Sequence, residues 1–354
     1  MARYLLLLQH LHHQRQRVPR VFRDRQNPLD YTDDDNLVKN YRLDRHLILD
    51  LCAEIGQGLE RPTRRSQSLQ VSLQILIALR YYATGSFQSV IADAHGVKIN
   101  SVSRSIHYVS RELSLRLSRY VNFPDGRTQQ LDDIKDGFHN IAGFPNVLGA
   151  VDGTFVPIIA QTEDEHLYVT RKGFHAINMQ GICDSQNIFL NVVVCWPGSS
   201  HDAFVSNNSE TTMLLEENDY SDSWLLGDSA YPLKRYLLTP VLNPTTQGQI
   251  RYNIAHKRTR CIIERTFGLW KVRFRCLHKS GGYLMYSPKN VFTSLNQLLF
   301  FIIFALGEAF RFPTAMATMM MKMMMMAMKT MMMIMKMTQT RRGTKLMVDK
   351  CVTN

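Results

Sequence analysis

"FPNVLGAVDGTFVPII", residues 144 to 159, decides the fold. β-branched and aromatic residues crowd this stretch, so it reads as a buried strand. Asp152 interrupts it. A carboxylate in such a place is costly without a partner, although Asp-Gly is also a common turn signal. Two more strands follow, in "FHAINMQGIC" and "NIFLNVVVCW". The polar tetrad Asp184, Ser185, Gln186 and Asn187 joins them as a hairpin turn. "SWLLGDSAY" (223–231) is a short strand running into a turn, with Asp228 at its end. "TPVLNPTTQGQIRYN" reads as a loop rich in Pro and polar residues. "CIIERTFGLWKVRFRCL" (261–277) then reads as a helix. Its Ile263, Phe267, Trp270 and Phe274 fall at i, i+4, i+7 and i+11, one apolar stripe. Strands followed by a charged helix imply an α/β or α+β domain over residues 140–310.

Three acids in this domain need a reason: Asp152 within a strand, Asp228 at a strand end and Glu264 beside the apolar stripe. Glu264 is the only acid between Lys257 and Arg275, a window with seven bases. Each acid has an ordinary account. Asp152 could belong to a turn, Asp228 could cap a helix begun by "GDSAYPLKRYL", and Glu264 could pair with Arg260 at i−4. Taken together, three pooled carboxylates suit a hard divalent cation, Mg²⁺ or Mn²⁺, which takes oxygen ligands. Two such ions can activate water and hold a scissile phosphate. Acids on strand, strand and helix, in that order, are the pattern of a ribonuclease-H-like nuclease or integrase.

Upstream, residues 1–27 form a basic arm with six Arg against Asp24. Residues 28–135 read as a helical region. One helix runs through "DDDNLVKNYRLDRHLILDLCAEI". "VSLQILIALRYYATG" (71–85) is a second, "SFQSVIADAHG" a short third, and residues 98–121 a longer fourth with Val102, Ile106 and Val109 inward. Two helices around a Gly-bounded short one give the helix-turn-helix pattern. Asn100, Ser101, Ser103 and Arg104 open the recognition helix and are DNA-contact candidates. The competing account is a small bundle with these residues facing water.

The 354 residues carry a net charge of +12, which points to a polyanionic partner. Residues 311–354 supply +7 of it, so basicity of the whole is a weaker signal than local clusters. Fourteen of the 19 methionines lie in residues 314–337, a low-complexity tail that reads as a translated ATG repeat rather than a folded domain. A thioether site for Cu(I) is the alternative there, without the fixed spacing such a site needs. The six cysteines make no C-x-x-C pair, which suggests no thiolate zinc site and suits a reducing compartment. The apolar run 298–306 is far shorter than a membrane span, and none is expected.

Between residues 27 and 288 the chain resembles the PIF/Harbinger transposase superfamily and the nucleases derived from Harbinger transposases. The stretches that carry the resemblance run collinearly. They are "NPLDYTDDDNLVKNYRL", "TGSFQSVIADAHGVKINSVSR", "GAVDGTFVPI", "YVTRKGFHAIN", "WPGSSHDAFV", "SWLLGDSAYPLKRYLLTP", "RYNIAHKRTRCIIERTFG" and "LWKVRFRCL". The resemblance implies a DDE-type, divalent-metal-dependent DNA endonuclease of ribonuclease-H-like fold, preceded by a helix-turn-helix. It assigns Asp152, Asp228 and Glu264 as the catalytic, metal-holding acids. Asp202, in "PGSSHDAF", becomes a further metal-site acid. It also implies a nuclear location, with some cytoplasmic presence, and a Myb-like companion protein. Arg260, Lys271 and Arg275 share the helical face of Glu264 and could meet a DNA backbone. Arg171 and Lys172, in "TRKG", could contact phosphate or simply form a solvated turn. "SLNQLLFFIIFALGEAF" departs from the family's Leu-His-Asn signature. A domesticated DNA-binding protein without nuclease activity is the alternative reading.

Overall fold

The computed structural model describes residues 26–60, 68–124, 129–160, 164–200, 215–216, 220, 222–282 and 284. Residues 1–25 of the arm, the Met-rich tail, "SLNQLLFFIIFALGEAF" and Asp202 lie outside the described residues.

The first part is all helix: α1 (Pro28–Tyr31), α2 (Asp34–Tyr41), α3 (Arg45–Leu59), α4 (Val71–Thr84), α5 (Gln88–Ala94), α6 (Ile99–Ser114) and α7 (Leu117–Tyr120). The helix expected through residues 33–55 is two helices. Arg42 ends α2 in the left-handed region at φ 68°, and Asp44 starts α3 by accepting the Leu47 N–H. The one expected over 98–121 ends at Ser114, before α7. Val102, Ile106 and Val109 of α6 are buried, as its apolar spacing requires. Gly85 and Gly96 end α4 and the α5 segment at φ 68° and 60°, which is the use of Gly at helix C-termini.

Helix α8 (Gln129–Ala142) leads into the sheet. It adds to the four upstream helices read from the sequence, burying Leu131, Ile134 and Phe138 from one face and packing on β1. The sheet holds β1 (Val147–Pro157), β2 (Ala176–Cys183), β3 (Phe189–Pro197), β4 (Trp224–Leu226) and β5 (Leu237–Leu238). A one-turn helix, α9 (Glu165–Tyr168), sits between β1 and β2. The strand order is β3-β2-β1-β4-β5. β2 runs antiparallel to both β1 and β3, whereas β4 runs parallel to β1 and β5 parallel to β4. At the β2–β3 turn the Asp184 carboxylate accepts the N–H groups of Gln186 and Ile188, each at 2.8 Å. Asn187 takes φ 67° there. "GDSAYPLKRYL" forms a turn and β5, not a helix.

The last long element is α10 (Gln247–Arg273), which begins 14 residues before the expected helix, inside the stretch read as loop. Thr246 and Gln249 form a reciprocal capping box that starts it. It ends at Arg273, because Phe274 leaves helical geometry at φ −118°, ψ 85°. Two short 3-10 turns follow, Arg275–Leu277 and Lys279–Gly281. Ile263, Phe267 and Trp270 are buried on α10, and Phe274 is buried just past its end. Their partner surface is the sheet. Phe189 of β3 stacks edge-on against Trp270 and tilted against Phe267. Gly181 of β2 leaves the room: a Cβ there would stand 2.9 Å from Phe189 and 3.2 Å from Phe267.

Candidate active site

Parallel pairing places the first two acids. Ala150 of β1 is opposite Leu226 of β4. Asp152 and Asp228 each stand two residues further along, so they leave the same edge of neighbouring parallel strands. β4 ends there while β1 continues against β2, so the two acids stand at the carboxyl end of neighbouring parallel strands, the place where open α/β sheets bind ligands in a crevice. Along β1 burial is complete up to Val151, relaxes over Asp152–Phe155 and returns at Val156.

Helix α10 brings the third acid. It packs across β1, and Arg260 ties it to that strand through Asp152. One guanidinium nitrogen of Arg260 lies 3.2 Å from Asp152 Oδ2, and another lies 2.5 Å from Glu264 Oε1. The Arg260 and Asp152 side chains are only 16% and 19% exposed, whereas Glu264 is 52% exposed. Asp152 Oδ1 accepts its neighbour's N–H, from Gly153, at 2.8 Å. Asp228 Oδ1 likewise accepts the Ala230 N–H at 2.9 Å. Each Asp therefore has one oxygen tied to nearby backbone, and the other oxygen of Asp152 is the one that Arg260 holds.

Burial pushes the Asp152 carboxyl up to about 6, and the charges of Asp228 and Glu264 push the same way against Arg260 and the Gly153 N–H. For Arg260 burial favours the neutral form, but Asp152, Glu264 and Asp228 together outweigh it and hold the guanidinium above its ordinary value. Asp152 and Arg260 thus both feel the charges of Asp228 and Glu264.

Among the described residues no group of three or more His, Cys, Asp or Glu side chains is close enough to hold a metal ion as it stands. Arg260 occupies the space between Asp152 and Glu264. In kind, the donors fit a hard cation: three carboxylates with no sulfur or imidazole, two of which act as like charges on Asp152.

The remaining sequence candidates fall elsewhere. Lys271 turns inward, donating from Nζ to Thr154 Oγ1 at 2.6 Å and to the Phe155 carbonyl at 2.9 Å. It ties α10 to β1 beside the acids, and the inward bonds occupy the ammonium that was expected to face a DNA backbone. Arg275 is exposed but lies past the end of α10, so it does not continue the helical face of Glu264. Arg171 and Lys172 are exposed on the turn before β2, where Gly173 takes φ 70°. Lys172 is near enough to lower the affinity of Lys271 for its proton. Asn100, Ser103 and Arg104 are exposed and Ser101 half-buried on the first turns of α6; the Arg104 Nε–H donates to the Asn100 carbonyl at 3.1 Å.

A family model described as a DDE superfamily endonuclease matches residues 151–298, a span that starts one residue before Asp152 and includes Asp228 and Glu264. Cattle (Bos taurus) and human (Homo sapiens) proteins named "Putative nuclease HARBI1" are 39% identical to this chain over 262 residues, covering 74% of it and 75% of each relative. The chain belongs to the Harbinger transposase-derived nucleases. This family consists of nucleases of transposase origin, hydrolases acting on ester bonds. An Arabidopsis thaliana relative, "Protein ALP1-like", is 26% identical over 59% of this chain and 55% of its own length. No solved structure matches the chain. In this Harbinger-type nuclease no described helix is long and apolar enough to cross a membrane.

Proposed function

We propose that this chain is a divalent-metal-dependent DNA endonuclease that hydrolyses phosphodiester bonds, with Asp152, Asp228 and Glu264 as its catalytic acids. The carrying observation is their convergence on the crevice between β1, β4 and α10, across which one guanidinium spans two of them. The strand order β3-β2-β1-β4-β5, with β2 alone reversed, supports a ribonuclease-H-like fold for the domain.

Asp152, Asp228 and Glu264 would hold Mg²⁺ or Mn²⁺, with Asp202 as a further ligand from the family resemblance. Such an ion supplies Lewis acidity for the phosphoryl oxygen and a lowered pKa for attacking water. The protein's own part is placement. β1 and β4 fix the two Asp side chains in register. The Gly153 and Ala230 N–H groups hold one oxygen of each, and Lys271 pins β1 to α10. A phosphodiester reaching the crevice meets Arg260, with Lys172 and Arg171 on the neighbouring turn.

α4, α5 and α6 supply the DNA-reading part of the proposal, with Asn100, Ser101, Ser103 and Arg104 toward base edges and phosphates. A nuclear location, with a cytoplasmic pool, and a Myb-like companion belong to the same reading and rest on the family resemblance.

Purified full-length protein with Mn²⁺ and plasmid DNA tests it, beside Asp228→Ala and a chelator control. The wild type should nick the DNA, and loss of a metal-holding acid should reduce the rate by about 100-fold or more. Equal cleavage by both proteins, or cleavage that survives chelation, would sink the proposal. Salt-dependent DNA binding without cleavage would favour the non-catalytic DNA-binding reading.

A further inference from the structure

We propose that Arg260 is the resident cation of the acid cluster, competing with divalent metal for the same carboxylate oxygens. The inference rests on the metal reading above and deepens it by saying what governs loading. Arg260 reaches Asp152 Oδ2 at 3.2 Å and Glu264 Oε1 at 2.5 Å. Asp152 Oδ1 is held by the Gly153 N–H, so Oδ2 is the oxygen Asp152 has to offer a ligand, and Arg260 already holds it. A metal ion needs that lone pair. It also needs a site free of a second full positive charge at contact distance, because repulsion between unscreened cations at a few ångströms is large.

The two occupants are therefore mutually exclusive. Without metal, the guanidinium joins Asp152 of β1 to Glu264 of α10, and the charge of Asp228 also acts on it. With metal, it must swing out of the crevice. Arg260 lies one turn before Glu264 on α10, and a side chain of its length can make that movement while its backbone stays in the helix. Metal affinity is then the ion's intrinsic affinity reduced by the cost of evicting Arg260. The arrangement guards the site against loading at low ion concentration and keeps it folded until then.

The test compares Mn²⁺ affinity, by isothermal titration calorimetry, with metal-free thermal unfolding. Full-length wild type, Arg260→Gln, Arg260→Lys and Arg265→Gln are measured side by side. Arg265 is the control: it adjoins Glu264 in the chain, but its Nε donates to Asn187 Oδ1 at 3.2 Å. Arg260→Gln should melt at a lower temperature without metal yet bind Mn²⁺ about tenfold more tightly or better. Arg260→Lys keeps the charge but cannot fork to both carboxylates, and should fall between. Arg265→Gln should alter the affinity by less than about threefold. A merely structural Arg260 would lose stability and metal affinity together, which overturns the proposal. It is equally overturned if Arg265→Gln tightens binding as much as Arg260→Gln. If Arg260→Gln does not fold, an unchanged affinity in Arg260→Lys overturns it. Wild type that binds no Mn²⁺ at all would instead remove the metal reading on which the inference rests.

Discussion

Lys271 shows how one residue's burial sets a measurable response to pH. Its ammonium is nearly enclosed between α10 and β1, and burial, with Lys172 nearby, pulls its pKa from 10.5 down to about 8. The Thr154 and Phe155 oxygens solvate it, but neither carries a charge. A base with a depressed folded pKa gives up its proton in the native state first. Between about pH 8 and 10.5 the unfolded chain holds more protons, so stability from this group rises with pH. The full span is worth about 3 kcal/mol. In Lys271→Met this contribution vanishes. The difference in unfolding free energy between wild type and variant, followed by urea titration from pH 7 to 10.5, should therefore shift by about that amount in favour of wild type. A difference that stays flat across the window would show that the ammonium is not held in a low-dielectric site. The same inward placement means that Lys271→Met should disturb β1 beside Asp152 before it disturbs any contact with DNA.

Between elements, the joint of the helical part to the sheet part is made by backbone in close approach. α4 ends at Gly85 with φ +68°, and a Cβ on it would lie 2.2 Å from the Gly281 carbonyl oxygen, in the turns after α10. Gly96 has a similar φ of +60° but no atom within 4 Å of the Cβ it lacks. Gly96→Ala should therefore cost only the left-handed strain, about 1–2 kcal/mol. Gly85→Ala adds a collision with backbone and should cost about 2–5 kcal/mol in urea unfolding. Equal losses for the two would mean that α4 and the Lys279–Gly281 turn do not meet. Such joints are invisible in a sequence, whereas β1, β2 and β3 are legible because each is a long apolar run. β5 has two residues and no pattern to read. The start of α10 was legible in principle, through the Thr246–Gln249 capping box, but two prolines and two glutamines around it read as loop. Its end has no Gly or Pro to announce it. The helix Gln129–Ala142 shows Leu131, Ile134 and Phe138 at helical spacing, though Asp, Gly and Asn residues dilute the signal. For the candidate site, Asp152 stands out within an apolar strand, Asp228 at a strand end and Glu264 as the one acid in a basic helix, and the Arg260–Glu264 pair follows from i, i+4 spacing. The Arg260–Asp152 bridge does not, because nothing local links residues so far apart in the chain.

At the scale of the molecule, the helical part and the sheet part share one continuous hydrophobic cluster. It runs from Leu29 and Leu37 in the first helices, through Phe138, Val147 and Phe189, to Trp270 and Leu284. Reciprocal bonds reinforce it. The Arg42 Nε–H donates to the Arg273 carbonyl at 3.2 Å, and an Arg273 guanidinium N–H donates to the Arg42 carbonyl at 2.5 Å. A shared core couples unfolding, since neither part keeps its buried surface when the other leaves. The three tryptophans make this testable: Trp196, Trp224 and Trp270 all lie in the sheet part, on β3, β4 and α10. Fluorescence therefore reports the nuclease part, while protection of α6 amides from hydrogen exchange reports the helical part. Both should collapse at one urea midpoint. Trp270→Ala should lower both midpoints together, by about 3–5 kcal/mol of stability, because the side chain is fully enclosed where α10 meets the sheet. If α6 keeps its protection after the tryptophan signal is lost, the two parts are independent units. The helical part would then be free to keep its fold while the nuclease part opens. If they unfold as one, the placement of α6 relative to Asp152, Asp228 and Glu264 is rigid. On the proposed DNA-cutting reading, the distance from α6 to the acids would then be fixed by the core rather than by a linker.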